Sequence, residues 1–213
     1  PSHYLTIAEG LSKLSFADEL NFWCYARVDT VNPEEMALLR KAGVRWICLG
    51  IESGSAEVRD GSLKTIDNTY IFDAVKAIQK AGISVLGNFI YGLPNDTMES
   101  MRATFTMAKA IECEYANFYS AMPYPGSKLF LETDPNDLPD SWSGYSQHAY
   151  ETKPLPTATL ASAEVLRFRD NAFHEYFEDP NYLERIDRKF GSHAVTEVKK
   201  MTNTRLRRKI LEQ

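Results

Sequence analysis

The chain has little of what marks the specialised classes of protein. Cysteine occurs only three times in 213 residues, an odd, widely spaced set that forms no disulfide framework and points to a reducing cytoplasm. No apolar run approaches the roughly 18 residues of a membrane span. The opening Pro1-Ser2-His3-Tyr4 has neither the basic nor the apolar stretch of a secretion signal. Basic charge is not in excess: 24 basic residues face 29 acidic ones, a net charge of −5. Duplex nucleic acid and anionic membranes are therefore disfavoured as partners. Also missing are a glycine-rich phosphate loop, an HExxH zinc helix and a GxSxG nucleophile elbow. What remains is ordinary. With 44% hydrophobic and 25% charged residues, the chain can bury a real core in one or two domains.

A strand-helix unit repeats along the first part. Residues 22–29, rich in aromatic and apolar side chains, read as a buried strand. Asn32-Pro33-Glu34-Glu35 supplies a helix start, with an N-cap, a proline at the first helical position and acids at the positive dipole end. The helix stops at Gly43. Residues 45–52 read as a second strand and 68–81 as a helix with Ile71, Phe72, Val75 and Ile78 on one stripe. The ends Lys41-Ala42-Gly43-Val44 and Lys80-Ala81-Gly82-Ile83 match, as successive strand-helix units would. A third strand at 84–91, a helix at 97–112 and a fourth strand at 115–122 follow. Nearly continuous apolar strands alternating with helices predict a parallel α/β sheet. The pattern fits both an open doubly wound sheet and a segment of a β/α barrel. The chain opens inside a helical pattern without Met, so it is expected to be a piece of something longer. From residue 134 the character changes to loops and amphipathic helices, the last a basic helix at 194–211. The expected division is 1–133 for the strand-helix units and 134–213 for a helical extension.

Ligands of parallel α/β folds sit beyond the carboxyl ends of the strands. Those ends hold Arg27 and Asp29, then Glu52 and Ser53, then Asn88, Tyr91 and Gly92, then Tyr119 and Pro123. An acid, an amide, a guanidinium and tyrosines suit a polyhydroxylated, zwitterionic small molecule. The competing reading, equally weighted, is an ion-pair network of Arg27, Asp29 and Glu52 tying the strands together.

Several strings in order carry a family resemblance. They are Ala26-Arg27-Val28-Asp29, Leu39-Arg40-Lys41-Ala42-Gly43, Gly50-Ile51-Glu52-Ser53-Gly54-Ser55, Asn88 through Thr97 with Tyr91-Gly92-Leu93-Pro94, and Pro123-Tyr124-Pro125-Gly126-Ser127. Across residues 22–130 this resembles the second half of the radical SAM core domain. The resemblance implies a partial parallel β/α (TIM-like) barrel of about four strands, followed by a helical C-terminal region. It implies an enzyme that cleaves S-adenosylmethionine (SAM) at a [4Fe-4S] cluster to give a 5'-deoxyadenosyl radical. Position by position, Glu52 would lie at the ribose or methionine end of SAM, Ser53 beside it would be a cofactor contact, and Lys64 would meet the methionine carboxylate. Asn88 would meet the ribose hydroxyls, Arg27 would make a polar contact, and Tyr91, Gly92 and Leu93 would lie near the adenine. The family's CxxxCxxC motif is absent, so no metal ligand is expected here and the chain alone is expected not to cleave SAM. Cys24, Cys48 and Cys113 read as small buried hydrophobes.

The stretch Arg167 to Phe177 with Pro180-Asn181-Tyr182-Leu183 resembles the helical extension of members carrying a cobalamin-binding domain, so cobalamin joins the expected cofactors. Methyl transfer or cyclisation of a small-molecule substrate would then be the outcome, with a flavodoxin or ferredoxin as electron donor. Tyr119, Tyr124, Trp142, Tyr145 and His148 are candidate substrate contacts. The basic run Lys199, Lys200, Arg205, Arg207, Arg208 and Lys209 reads as a solvated helix face. Two rivals stay open: another β/α-barrel enzyme using Glu52 and Asp29 as acid-base groups, and a non-catalytic binding module.

Overall fold

The computed structural model describes residues 3–59 and 66–212. The chain divides into two compact units, residues 1–89 with 110–117 and residues 90–109 with 118–213. The strands of the sheet are β1 (Phe22–Arg27), β2 (Val44–Glu52), β3 (Ser84–Tyr91) and β4 (Tyr115–Ser120), in the order β1-β2-β3-β4. The pairs β1/β2 and β2/β3 are parallel. Strands laid down in chain order follow the winding of a β/α barrel, whereas a doubly wound sheet reverses partway. The α/β barrel-segment expectation holds, as does the helical C-terminal region.

In the first unit α1 (His3–Leu11) precedes β1, α2 (Pro33–Lys41) links β1 to β2, and α3 (Asn68–Lys80) precedes β3. The predicted helix start is present: the Asn32 side chain accepts a hydrogen bond from the Glu34 backbone, with Pro33 at the first helical position. Gly43 and Gly82 both adopt positive φ at the ends of these helices. The core is made by Ile47, Leu49 and Ile51 of β2, Val85 and Phe89 of β3, and Ile71, Val75 and Ile78 of α3, all buried. One expectation fails here. Among the described residues, 22–27 form the edge strand of the sheet and not a buried one, with Trp23 53% and Tyr25 85% exposed, because no described strand lies against the free edge of β1.

In the second unit α4 (Met98–Ala110) follows β3, and a short α5 (Lys128–Glu132) follows β4. The C-terminal helices are α6 (Ser162–Phe177), α7 (Pro180–Phe190) and α8 (Ser192–Thr202). An aromatic cluster holds this unit together: Tyr91 stacks on Phe118 at 5.8 Å, and Phe118 meets Tyr176 edge-on at 5.3 Å. The expected basic helix at 194–211 is shorter, since α8 ends at Thr202 and a turn of 3-10 helix covers Lys209–Leu211. Arg208 does not belong to a solvated face, as its side chain is fully buried against Asp170. Composition gave no sign of this, because one buried arginine in a basic run looks like its neighbours. His174 is also buried, with Nδ1 3.1 Å from Glu178 Oε1. No helix among the described residues is long and apolar enough to cross a membrane.

Candidate functional site

Strand register brings three of the expected residues together. Arg27 on β1 is in register with Gly50 on β2, and Gly50 is in register with Asn88 on β3. In-register residues on neighbouring strands present their side chains to the same face. Gly50 itself has no side chain, and the carboxylate of Glu52 fills its place: a Cβ built on Gly50 would lie 3.0 Å from Glu52 Oε1. Two backbone features fold Glu52 back in this way. The β2/β3 register shifts between Gly50 and Glu52, a bulge that re-aims the residue after it. Glu52 also adopts φ +67°, a left-handed conformation that is costly for a glutamate and is typical of sites where strain is held for function. The outcome is a row across the carboxyl ends of three strands: guanidinium, carboxylate, amide.

The electrostatics separate the three. Arg27 is locally satisfied, donating from Nε (3.0 Å) and Nη2 (2.8 Å) to the carboxylate of Asp29. That hydrogen-bonded pair holds Asp29 below, and Arg27 above, its ordinary range. The expected network of Arg27, Asp29 and Glu52 is therefore only a pair. Glu52 has no ion-pair or hydrogen-bond partner among the described residues, and burial pushes its carboxyl above the usual carboxylate range. A partly buried carboxylate is costly unless something beyond the described residues supplies a partner. Asn88 is half-buried, and its Oδ1 accepts a hydrogen bond from Asn117 Nδ2 at 3.0 Å.

Ser53 is fully buried; its Oγ accepts from the Ser55 backbone at 3.1 Å, and its carbonyl from Arg59 Nη1 at 2.9 Å. Arg59, 1% exposed, also donates to Asn68 Oδ1 at 2.7 Å. This arginine staples the segment after β2 to the start of α3, and sequence reasoning missed it. Lys64 lies outside the described residues. Of the remaining expected positions, Tyr91 is buried in the aromatic cluster, where its ring meets Phe168 edge-on at 5.0 Å. Its hydroxyl has no hydrogen-bond partner among the described residues. Strand alternation turns Tyr91 to the face opposite Asn88, three residues before it. The Gly92 and Leu93 amides donate to Asp96 Oδ2 at 3.0 and 3.1 Å, so the Gly-Leu-Pro segment is a carboxylate-locked turn. Among the candidate substrate contacts, Trp142 is 80% and Tyr124 50% exposed, and Trp142 lies 6.0 Å from Tyr145 between ring centroids.

The cysteines do not fit an iron-sulfur cluster. Register places Cys24 and Cys48 on opposite faces of adjacent strands, and Cys113 is fully buried against the Gly87 backbone. Burial raises the thiol pKa of Cys24 and Cys48, as for small buried side chains. The polar row does fit a ligand with hydroxyl and cationic groups. Gly50→Ala is expected to leave stability within about 1 kcal/mol, since only a movable carboxylate end stands in the way. It should swing Glu52 outward and lower the carboxyl pKa toward the ordinary range. An NMR titration of Glu52 that does not move on this substitution would contradict the geometry.

A chain of parallel strands laid down in chain order with helices between them belongs to the α/β class of proteins. More narrowly, residues 2–108 match the radical SAM superfamily, and the chain belongs to that superfamily. It is 34% identical over 120 residues to an uncharacterised methyltransferase of Pyrococcus horikoshii, covering 56% of this chain and 26% of that one. It is 25% identical over 177 residues to an anaerobic magnesium-protoporphyrin IX monomethyl ester cyclase of Cereibacter sphaeroides, covering 82% of this chain and 28% of the cyclase. The chain thus spans between a quarter and a third of the length of these two relatives. Its fold is similar to that of the radical SAM methyltransferase TsrM from Kitasatospora setae, solved with cobalamin and a [4Fe-4S] cluster bound. The TM-score is 0.51 with 18% identity, covering 57% of this chain and 24% of TsrM.

Proposed function

We propose that this chain is the SAM-holding portion of a radical SAM enzyme of the methyl-transferring or ring-forming kind, with the row Arg27, Glu52 and Asn88 as the grip on the nucleoside. The observation that carries the reading is the Glu52 carboxylate, folded by a bulge and a left-handed backbone into the gap over Gly50. Ionised Glu52 accepts hydrogen bonds from a ribose hydroxyl and offers negative charge to a cationic ligand, while the half-buried Asn88 supplies amide hydrogen bonds. Arg27, held by Asp29, keeps its guanidinium at the outer end of the row as part of a neutral ion pair. Lys64 enters this reading as the cation for the methionine carboxylate. Tyr91, Gly92 and Leu93 carry no part of it, since the aromatic cluster and the turn account for them. In the superfamily SAM supplies the radical chemistry; this chain's residues bind, orient and shield the nucleoside. The cluster ligands, cobalamin, an electron donor such as a flavodoxin or ferredoxin, and a small-molecule substrate belong to the whole enzyme in this reading. So does the division into a core at 1–133 and a helical extension at 134–213.

Calorimetric titration of the chain with SAM tests it. Glu52→Gln and Asn88→Ala should each weaken binding by about 1 to 3 kcal/mol, roughly 5- to 150-fold. Affinity should rise with pH through the raised Glu52 carboxyl pKa, because the ionised form is the one that accepts, and Glu52→Gln should abolish that dependence. Affinity indifferent to both substitutions would remove the reading.

A further inference from the structure

The row across the strand ends has a fourth member. Asn117 lies on β4 and donates from Nδ2 to Asn88 Oδ1 at 3.0 Å. The bond uses the oxygen of the Asn88 amide and leaves its NH2 without a partner among the described residues. An asparagine amide can present either oxygen or nitrogen to a ligand, and its neighbours decide which. Here the neighbour has taken the oxygen. The face beside Glu52 therefore carries an acceptor, the carboxylate, next to a donor, the Asn88 NH2.

We infer that Asn117 is a positioning residue that fixes the Asn88 amide with its NH2 toward the ligand, so that Glu52 and Asn88 form an acceptor-donor pair matched to a vicinal diol. The inference rests on the SAM reading above and sharpens it. One hydroxyl of a diol donates to Glu52 and its neighbour accepts from Asn88, an arrangement that two acceptors side by side could not provide. The Asn117 side chain makes no hydrogen bond among the described residues apart from the one to Asn88, so its polar group there serves that amide. Its place on the strand follows the same logic. The sequence Tyr115-Ala116-Asn117-Phe118 alternates, with Ala116 and Phe118 buried, and that alternation puts the amide on the ligand side of the sheet.

The test titrates the full chain with S-adenosylhomocysteine and with its analogue lacking both ribose hydroxyls. Asn117→Ala should weaken S-adenosylhomocysteine by about 3- to 10-fold and leave the deoxygenated analogue unchanged. Asn117→Asp should be worse than Asn117→Ala. An aspartate can only accept, so it draws the Asn88 NH2 to itself and turns the oxygen toward Glu52. In an Asn88→Ala background neither substitution should weaken binding further. Thermal melting checks that each variant is folded. If Asn117→Asp binds as well as the parent, or if the Asn117 and Asn88 effects simply add, the positioning role is wrong and the SAM reading survives. If the unaltered chain binds neither compound, the SAM reading falls and this inference with it.

Discussion

Arg208→Ala is expected to destabilise the chain by about 3 to 5 kcal/mol, the range for removing one partner of a buried ion pair. The side chain is 0% exposed and all its donors are engaged. Nε and Nη2 bond the Asp170 carboxylate at 2.8 and 3.0 Å. Nη1 bonds the Ala149 carbonyl at 2.9 Å and Thr152 Oγ1 at 3.0 Å, and Nη2 also bonds the Gln147 carbonyl at 3.1 Å. Deletion leaves the partly buried Asp170 carboxylate with Arg169 as its remaining cation and removes a donor from the Gln147 and Ala149 carbonyls. A lysine cannot restore the planar fork, so Arg208→Lys should recover only a small part. Arg207→Ala is the control. That side chain is 79% exposed and paired with Glu212, and its loss should be within about 0.5 kcal/mol.

The same network sets a pH signature. Burial would raise the Asp170 carboxyl, but the hydrogen bonds from Arg208 and Arg169 outweigh it and hold the pKa below the ordinary value. A depressed folded-state pKa means that this stabilisation is fully present above the unfolded pKa of about 3.9. It is lost as pH falls through the lower, folded-state pKa. Urea denaturation of the parent between neutral pH and pH 2 should show that acid loss, and Asp170→Asn should flatten it. An Arg208→Ala variant as stable as Arg207→Ala would show that the buried fork carries no weight.

The contrast between these two neighbouring arginines shows where sequence reading stops. The strand-helix alternation was legible because each strand is an apolar run and each of the first two repeats ends in a positive-φ glycine. The strand order did not follow from that alternation, which suits a doubly wound sheet equally well; only the family resemblance pointed to the barrel order. Arg27, Glu52 and Asn88 could be picked out because strand ends are where parallel folds collect polar side chains. Their meeting point was not legible, since it depends on a one-residue bulge and on one glycine whose missing side chain leaves room for a carboxylate. Asn117 gave no signal of its own, because an asparagine in a half-buried strand looks like ordinary amphipathic alternation. Arg59 and Arg208 were hidden for a related reason. A buried arginine is defined by the carbonyls that surround it, and those come from segments distant in sequence, as with the 61 residues between Arg208 and Gln147. Tyr91 shows the opposite failure: it stands at a strand end, yet alternation sends it into the core.

Gly92 supplies the second large effect, through packing and backbone together. Gly92→Ala should cost about 2 to 5 kcal/mol. Roughly 1 to 2 of that comes from placing a side chain on a left-handed backbone, and about 1 to 3 from overpacking. Gly92 has φ +80°, and a Cβ there would fall 2.4 Å from Val165 Cγ1. Val165 is fully buried on α6 and cannot swing away as the end of a long side chain could. The Asp96 carboxylate, which holds the Gly92 and Leu93 amides, makes the turn harder still to relax. A double-mutant cycle separates the two causes. Val165→Ala should return the steric part when combined with Gly92→Ala, giving a coupling of about 1 to 3 kcal/mol, while the backbone part persists. Strictly additive losses would mean that the close approach to Val165 is not what requires glycine. Gly50 behaves in the opposite way, since its neighbour is a movable carboxylate. Substitution there should spare stability and impair the ligand grip, so the two glycines separate what the fold needs from what the site needs.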